Sequence, residues 1–244
     1  MTAVHQTLLL TQWRLRRQTA MLPIIVVEQT FFAIAAVLGY GLLIGDPDPA
    51  TATYLATGAP TIMLVIVGMV TAPHELVVSR AEGSMDWIRT LPVPRLSYLV
   101  ADLLMWVLIA LPGTVLGIVT GVLRFDVDLS IAPWVVPGAL LVSLGAASVG
   151  YAIGTLLPPT LAQTTTQVLL FVVLLFSPVS YPADRLPGWL QGLHDWLPIQ
   201  PMADLMRAGL AQDTFDLPAR SLVVLLSWCA VGVAGATWAL RRRA

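Results

Sequence analysis

The residues best suited to chemistry lie in one short stretch that carries charges of both signs. Residues 79–102 read SRAEGSMDWIRTLPVPRLSYLVAD and hold three arginines, one glutamate and two aspartates, although only 11% of the 244-residue chain is charged. Glu82 and Asp86 are four residues apart, and Arg89 follows three residues later. On a helix these three side chains share one face, which could recognise a partner by charge.

The apolar residues of the same stretch support a short amphipathic helix over residues 79–90. Met85, Ile88 and Leu91 fall on a second face, and Pro92 ends the helix. A simple connection between two helices needs only a few residues, so a helix of this length predicts that a partner docks on it. The alternative interpretation is a solvated loop with incidental helix propensity.

Other chemistries lack the residues that they need. His74 and Glu75 are followed by Leu-Val-Val rather than by a second histidine, so a zinc protease motif is missing. The remaining histidines, His5 and His194, are predicted on different sides of a membrane, and Cys229 is the single cysteine. The sequence has neither a P-loop nor a G-x-S-x-G motif. We therefore expect no enzyme, no metal site and no cofactor in this chain.

Two acids fall within or at the edge of apolar segments, where a charge is costly. Glu28 either binds a proton or substrate, or lies near the inner surface of the membrane that the apolar segments are predicted to cross and pairs with an arginine such as Arg17. Asp102 is predicted in the first turn of a helix that begins at the inner surface, where an acid suits the helix dipole.

The elements that position these residues are predicted to be membrane helices. Hydrophobic residues make up 57% of the chain, above the 45–50% or so of soluble domains. We predict an all-α, single transmembrane domain over 1–244, with an amphipathic interfacial helix at about 3–20. A span needs about 20 apolar residues. Six segments qualify, at about 22–44, 55–77, 99–123, 133–156, 163–180 and 220–240.

Arginine placement predicts that both termini lie inside. With that orientation nine arginines are inside: Arg14, Arg16, Arg17, Arg80, Arg89, Arg95, Arg241, Arg242 and Arg243. Four are outside: Arg124, Arg185, Arg207 and Arg220. The charged stretch 79–102 then begins in the cytoplasm.

Two further patterns concern packing. Small residues recur four apart at Gly113, Gly117 and Gly121, and again at Ala146, Gly150 and Gly154, which permits close helix contacts within one subunit or between two. The last outer segment, about 181–220, is long for a loop. It predicts two short amphipathic helices in a re-entrant arrangement, broken by Pro198 and Pro201.

Two motifs resemble those of the type-two ABC export permeases. The stretch RAEGSMDWIRTLPVPR is similar to the coupling-helix motif of that family, whose positions are occupied here by Glu82, Gly83, Ser84, Asp86, Ile88, Pro92 and Arg95. The stretch FSPVSYPADRLPGWLQGLHDWLPIQPMADLMRAGL resembles the outer segment of the family, with Pro187, Trp189, Pro198 and Arg207 at its marked positions. The first outer loop is shorter than in many members, which argues against a large extracellular domain.

The resemblance implies a permease that works as a dimer in the bacterial plasma membrane. Each subunit would dock its coupling helix on a separate ATPase subunit, which binds ATP and Mg. Glu82 to Arg89 would form the contact, with Asp86 and Arg89 supplying charge and with Met85, Trp87 and Ile88 packing.

The cargo is expected to be a hydrophobic drug, antibiotic or lipid, because the fifth span is aliphatic rather than lined with aromatics. The alternatives are a polysaccharide exporter of the same family, a secondary transporter or channel that needs no ATPase, and a membrane enzyme.

Overall fold

The computed structural model describes the backbone of residues 3–81 and 95–242. Within these ranges the chain is helical and has no strand. The α-helices are α1 (Ala3–Arg17), α2 (Leu22–Ile44), α3 (Pro49–Ile66), α4 (Ala72–Ala81), α5 (Arg95–Phe125), α6 (Val135–Leu156), α7 (Pro159–Phe176), α8 (Gly188–His194), α9 (Ile199–Leu210) and α10 (Ala219–Arg242). A π-helical turn, Val67–Thr71, joins α3 to α4, and a 3₁₀ turn, Ala183–Arg185, precedes α8.

Five helical segments of the described chain are long and apolar enough to cross a membrane: Leu22–Ile44, Pro49–Ser79, Val100–Phe125, Val135–Leu156 and Pro159–Phe176. Each of them overlaps one of the first five predicted spans. The sixth predicted span, at about 220–240, falls on α10, whose apolar part Ala219–Gly235 is shorter than the other five.

Two predicted spans had wrong boundaries. The helix of the second span, α3, begins at Pro49 rather than near residue 55. Asp48 caps it by accepting a hydrogen bond from the Thr51 amide at 3.3 Å. Pro49 takes the first helical position, where its missing N–H costs nothing. The helix of the fifth span, α7, runs from Pro159 to Phe176 and not over 163–180, since Pro158 and Pro159 start it earlier.

Helix α3 is the centre of the molecule. It packs against α2, α5, α6 and α9. In the segment Pro49–Ser79, which α3 begins, 83% of the most apolar 18 residues are buried, compared with 17% in α2 and in α7. Its threonines stay satisfied in these surroundings by donating to the carbonyl four residues earlier, as Thr57 does to Thr53 at 2.7 Å and Thr61 to Thr57 at 3.0 Å. The exposed apolar side chains of α2 and α7 are suited to lipid or to a partner.

The small-residue stripes pack within the chain. A Cβ added at Gly121 would lie 2.8 Å from Ala56 Cα, and one added at Gly150 would lie 2.6 Å from the Gly68 carbonyl oxygen. Backbone therefore meets backbone at both contacts, which is the use that the four-residue spacing predicts.

Candidate functional site

Most of the predicted coupling helix lies outside the described residues, as does all of 82–94. Its first three predicted residues, 79–81, are described and form the end of α4 rather than the start of a separate helix. Its residues Glu82, Gly83, Ser84, Met85, Asp86, Trp87, Ile88 and Arg89 therefore remain a prediction. The structure does describe the two helices that lead into this segment and out of it, α4 and α5. We call the end of the molecule where they meet 82–94 the α1 end.

Helix α1 is tied to the helix that follows the segment. Arg14 forms a salt bridge with Asp102, and the side chains of both residues are largely buried, 14% and 6% exposed. Thr11 also donates to the Ala101 carbonyl oxygen at 3.5 Å. Asp102 was predicted in the first turn of its helix; that placement is wrong, because α5 begins at Arg95, two turns earlier. Its charge is compensated by the Arg14 guanidinium and not by the helix dipole.

The residues after α1 contact the helix that precedes the segment. Gln18 donates to the Glu75 carboxylate of α4 at 3.1 Å. Helix α1 and its C-terminal turn therefore hold both helices that flank 82–94, one by an ion pair and the other by a hydrogen bond. A force applied at 82–94 would reach α4, α5 and α1 together.

The opposite end, which we call the α9 end, is built around one buried arginine. The Arg207 side chain donates to the Val179 carbonyl oxygen at 2.9 Å and forms an ion pair with Asp204 at 3.1 Å. Its guanidinium carbon lies 4.0 Å from the centre of the Tyr54 ring and 5.7 Å from that of Phe215, which is cation–π geometry. Arg207 therefore stabilises the outer segment that the sequence predicts at about 181–220.

Asp204 joins α9 to α10. Its second carboxylate oxygen accepts a hydrogen bond from the Ser221 hydroxyl at 2.8 Å. Burial raises the pKa of Asp204, while the hydrogen bond from Ser221 and the charge of Arg207 oppose that rise. Burial also lowers the pKa of Arg207, and Asp204 opposes this shift. Arg207 stays charged all the same, because an arginine keeps its proton in proteins.

The other marked residues of this segment have different surroundings. Pro187 and Pro198 each precede a helix, α8 and α9. The break predicted at Pro198 coincides with the start of α9, whereas the break predicted at Pro201 is wrong, because Pro201 lies in the first turn of that helix, where a proline is tolerated. Trp189 is 73% exposed and Trp196 is 70% exposed, and both are placed as an aromatic residue at a membrane surface would be. Helix α9 is almost wholly buried, which fits a re-entrant element rather than a surface loop.

His194 was not predicted to have a role in the fold, yet it connects α8 to the end of α7. Its Nε2 lies 3.0 Å from the Phe176 carbonyl oxygen, and its side chain is buried. Burial lowers the pKa of His194, because the charged imidazolium is disfavoured there. The sequence signal was the spacing of Leu190 and His194, which places both on the buried face of α8.

An apolar groove of about 380 Å³ lies between α2, α3 and α7. Phe32, Gly39 and Tyr40 line one side, Ile62 and Met63 a second, and residues of α7 including Phe171 and Leu174 the third. The Tyr40 hydroxyl donates to the Leu174 carbonyl oxygen at 3.1 Å, so even this polar group is satisfied by the protein. The groove therefore has room for an apolar ligand.

The described residues hold no group of three or more histidine, cysteine, aspartate or glutamate side chains placed to bind a metal ion. Cys229 is buried among apolar residues of the core.

Together these features define a multi-pass helical membrane protein whose helices frame a short polar segment at one end. The family model of the ABC-2 type transporter matches residues 5–211, which is most of the chain. The chain belongs to this family, and it is a permease subunit of an ABC transporter. Comparison with the curated proteins gave no significant match.

Proposed function

We propose that this chain is the permease subunit of an ATP-driven exporter whose cargo is an amphipathic drug, antibiotic or lipid. Membership in the ABC-2 family supports an ABC ATPase as its partner and a membrane setting. A separate ATPase chain binds ATP and Mg, and this chain contributes no catalytic residue. The permease subunits pair as a dimer in the bacterial plasma membrane.

One observation carries the mechanical part of the proposal. Arg14 and Gln18 tie α1 to Asp102 of α5 and to Glu75 of α4, the two helices that flank 82–94. A displacement of 82–94 by the ATPase therefore moves α1 with both spans, instead of bending a free loop. The contact residues remain Glu82 to Arg89, with Asp86 and Arg89 supplying charge.

The orientation that suits this mechanism has six spans with both termini in the cytoplasm. Arginines at the α9 end are matched locally, as Arg207 is by Asp204 and Arg220 by Asp195 at 3.0 Å. Acids contribute little to the positive-inside bias, so the orientation is supported by the count of nine arginines predicted inside against four outside.

The groove favours hydrophobic cargo over sugar. Its lining is apolar, and the hydroxyl of Tyr40 is already committed to the backbone of α7. A polysaccharide needs many hydrogen-bonding partners along its path.

Transport in inside-out membrane vesicles tests the function. The vesicles contain this chain with its ATPase, and the probes are amphipathic fluorophores of cationic, neutral and anionic type. We expect at least one probe to accumulate when ATP is added, and not when the ATPase carries a substituted P-loop lysine. Accumulation driven by an ion gradient without ATPase would establish a secondary transporter instead, and movement of a lipid-linked polysaccharide alone would replace the proposed cargo.

A further inference from the structure

One charged side chain lies on the same helix face as the apolar groove. Glu28 precedes Phe32 by four residues, so it extends the row of α2 residues that line the groove, Phe32, Ala35, Ala36, Gly39, Tyr40 and Leu43. Four residues of helix correspond to about 6 Å along the axis. The carboxylate therefore belongs one turn beyond the Phe32 end of the groove, on the same side of α2.

Glu28 has no partner among the described residues. Its side chain is exposed, and it makes no hydrogen bond or ion pair with any other residue that the structure describes. The pairing of Glu28 with Arg17 is not observed: the Arg17 guanidinium instead lies 5.9 Å from the centre of the Trp13 ring. The groove thus ends at a carboxylate that the described part of the chain does not neutralise.

The three helices around the groove offer no cation of their own. Glu28 is the single charged residue in α2, α3 and α7 together. A second copy packed on this face by twofold symmetry would bring the same three helices, again without a basic residue. A carboxylate on an apolar membrane face is costly unless a cation meets it, and a cationic ligand in the groove would supply that charge.

Aromatic rings beside the carboxylate suit an organic cation. Phe31 and Phe32 stand edge to face with ring centres 6.4 Å apart, and Phe32 is 44% exposed at the end of the groove. Phe171 of α7 also lines the groove and is 63% exposed. Ring faces attract a cation that is poorly hydrated, such as a quaternary ammonium or phosphonium.

We propose that Glu28 and the groove form a binding site for a lipophilic organic cation, with its apolar body between α2, α3 and α7 and its charge at Glu28. This inference deepens the proposed function, on which it rests, by naming the charge of the cargo. A volume of about 380 Å³ suits a compact molecule of drug size. An anionic amphipath of the same shape would be repelled.

Binding of two ions of equal shape and opposite charge tests the site. The purified full-length chain in lipid nanodiscs is titrated with tetraphenylphosphonium and with tetraphenylborate, and empty nanodiscs are subtracted. We expect the chain to bind the phosphonium and to prefer it over the borate. Glu28→Gln should weaken phosphonium binding about tenfold or more, because it removes the charge and keeps the shape of the side chain.

Three matched variants complete the measurement. Glu28→Asp keeps the charge and should keep the preference. Asp46→Asn removes a negative charge beyond the opposite end of α2 and should leave both affinities unchanged. Gly39→Leu places a side chain where a Cβ has no heavy atom within 4 Å, so it should fold and should weaken both ions by filling the groove.

The outcomes separate this site from the wider function. Equal phosphonium affinity for the wild-type chain and Glu28→Gln would overturn the proposal, as would equal affinity for the two ions or no phosphonium binding at all. The assay needs no ATPase, so its result stands if the ATPase partner proves wrong. ATP-driven transport of neutral or anionic probes only would in turn leave the permease function intact and remove the cation site.

Discussion

At the scale of single residues, a buried ion pair stabilises each end of the molecule. The side chains of Arg207 at the α9 end and of Asp102 at the α1 end are 5% and 6% exposed, and each has an oppositely charged partner. Removing one member of such a pair is costly, because the other is left buried without its counter-charge. The role of each residue can therefore be tested by measuring the stability of a variant that lacks it.

Arg207→Met should lower the free energy of unfolding by about 3–5 kcal/mol, because Asp204 loses its cation and the Val179 carbonyl its donor. Thermal unfolding in detergent, followed by tryptophan fluorescence, measures the loss. Arg220→Met is the matched control: its ion pair with Asp195 is exposed, 53% and 39%, and should contribute at most about 1 kcal/mol. Equal losses in the two variants would contradict the role of Arg207.

His194 predicts a pH dependence of stability. Burial lowers its pKa in the folded chain, so the unfolded chain binds the proton more readily. The contribution is therefore fully present above the ordinary pKa of about 6.5 and is lost as the pH falls toward the folded value. The melting temperature should fall between pH 7.5 and 5.5, and His194→Gln should reduce that slope. His5→Gln, at an exposed position, should leave it unchanged; an identical slope in the His194 variant would refute the assignment.

At the scale of elements, glycines set how closely the spans approach. A Cβ at Gly150 of α6 would lie 2.4 Å from Pro73 Cγ, whereas a Cβ at Gly39 of α2 meets no heavy atom within 4 Å. Both glycines lie inside helices that cross the membrane, so they offer the same substitution in two packing environments.

Gly150→Ala should destabilise the chain by about 1–3 kcal/mol, since α4 and α6 must separate to admit the methyl group. Gly39→Ala should be neutral or should stabilise by up to about 1 kcal/mol through helix propensity. Detergent melting curves of the two variants give the comparison. A Gly150 variant as stable as the wild-type chain would show that this contact is loose.

Hydrophobic length was sufficient to predict that the first five spans exist, but not where the second and the fifth begin. Leu22–Ile44 matches the predicted first span, because an apolar run between polar flanks has few alternatives. The second span begins earlier than predicted because Asp48 caps its helix. The polar Asp-Pro start lies outside the apolar run from which that span was predicted. The Arg14–Asp102 and Arg207–Val179 contacts join residues far apart in sequence, which no local pattern encodes. The coupling segment itself lies outside the described residues and stays a prediction.

At the scale of the whole molecule, orientation is the prediction that organises the rest. Both termini should be cytoplasmic, with the α1 end inside and the α9 end outside. A C-terminal green fluorescent protein should therefore fluoresce, while a C-terminal alkaline phosphatase should be inactive. Phosphatase activity at the C-terminus would reverse the orientation and place 82–94 where no ATPase could reach it.

Docking of the ATPase through the segment 82–94 is the central claim, and copurification measures it most directly. A tagged chain is coexpressed with its partner ABC ATPase, and the ATPase retained per permease is measured. The account predicts that the wild-type chain retains the ATPase and that Asp86→Arg, expressed to the same level, loses it. Asp128→Arg makes the same charge change at an exposed position predicted outside and should retain it. Retention of the ATPase by Asp86→Arg at the wild-type level would contradict the coupling contact.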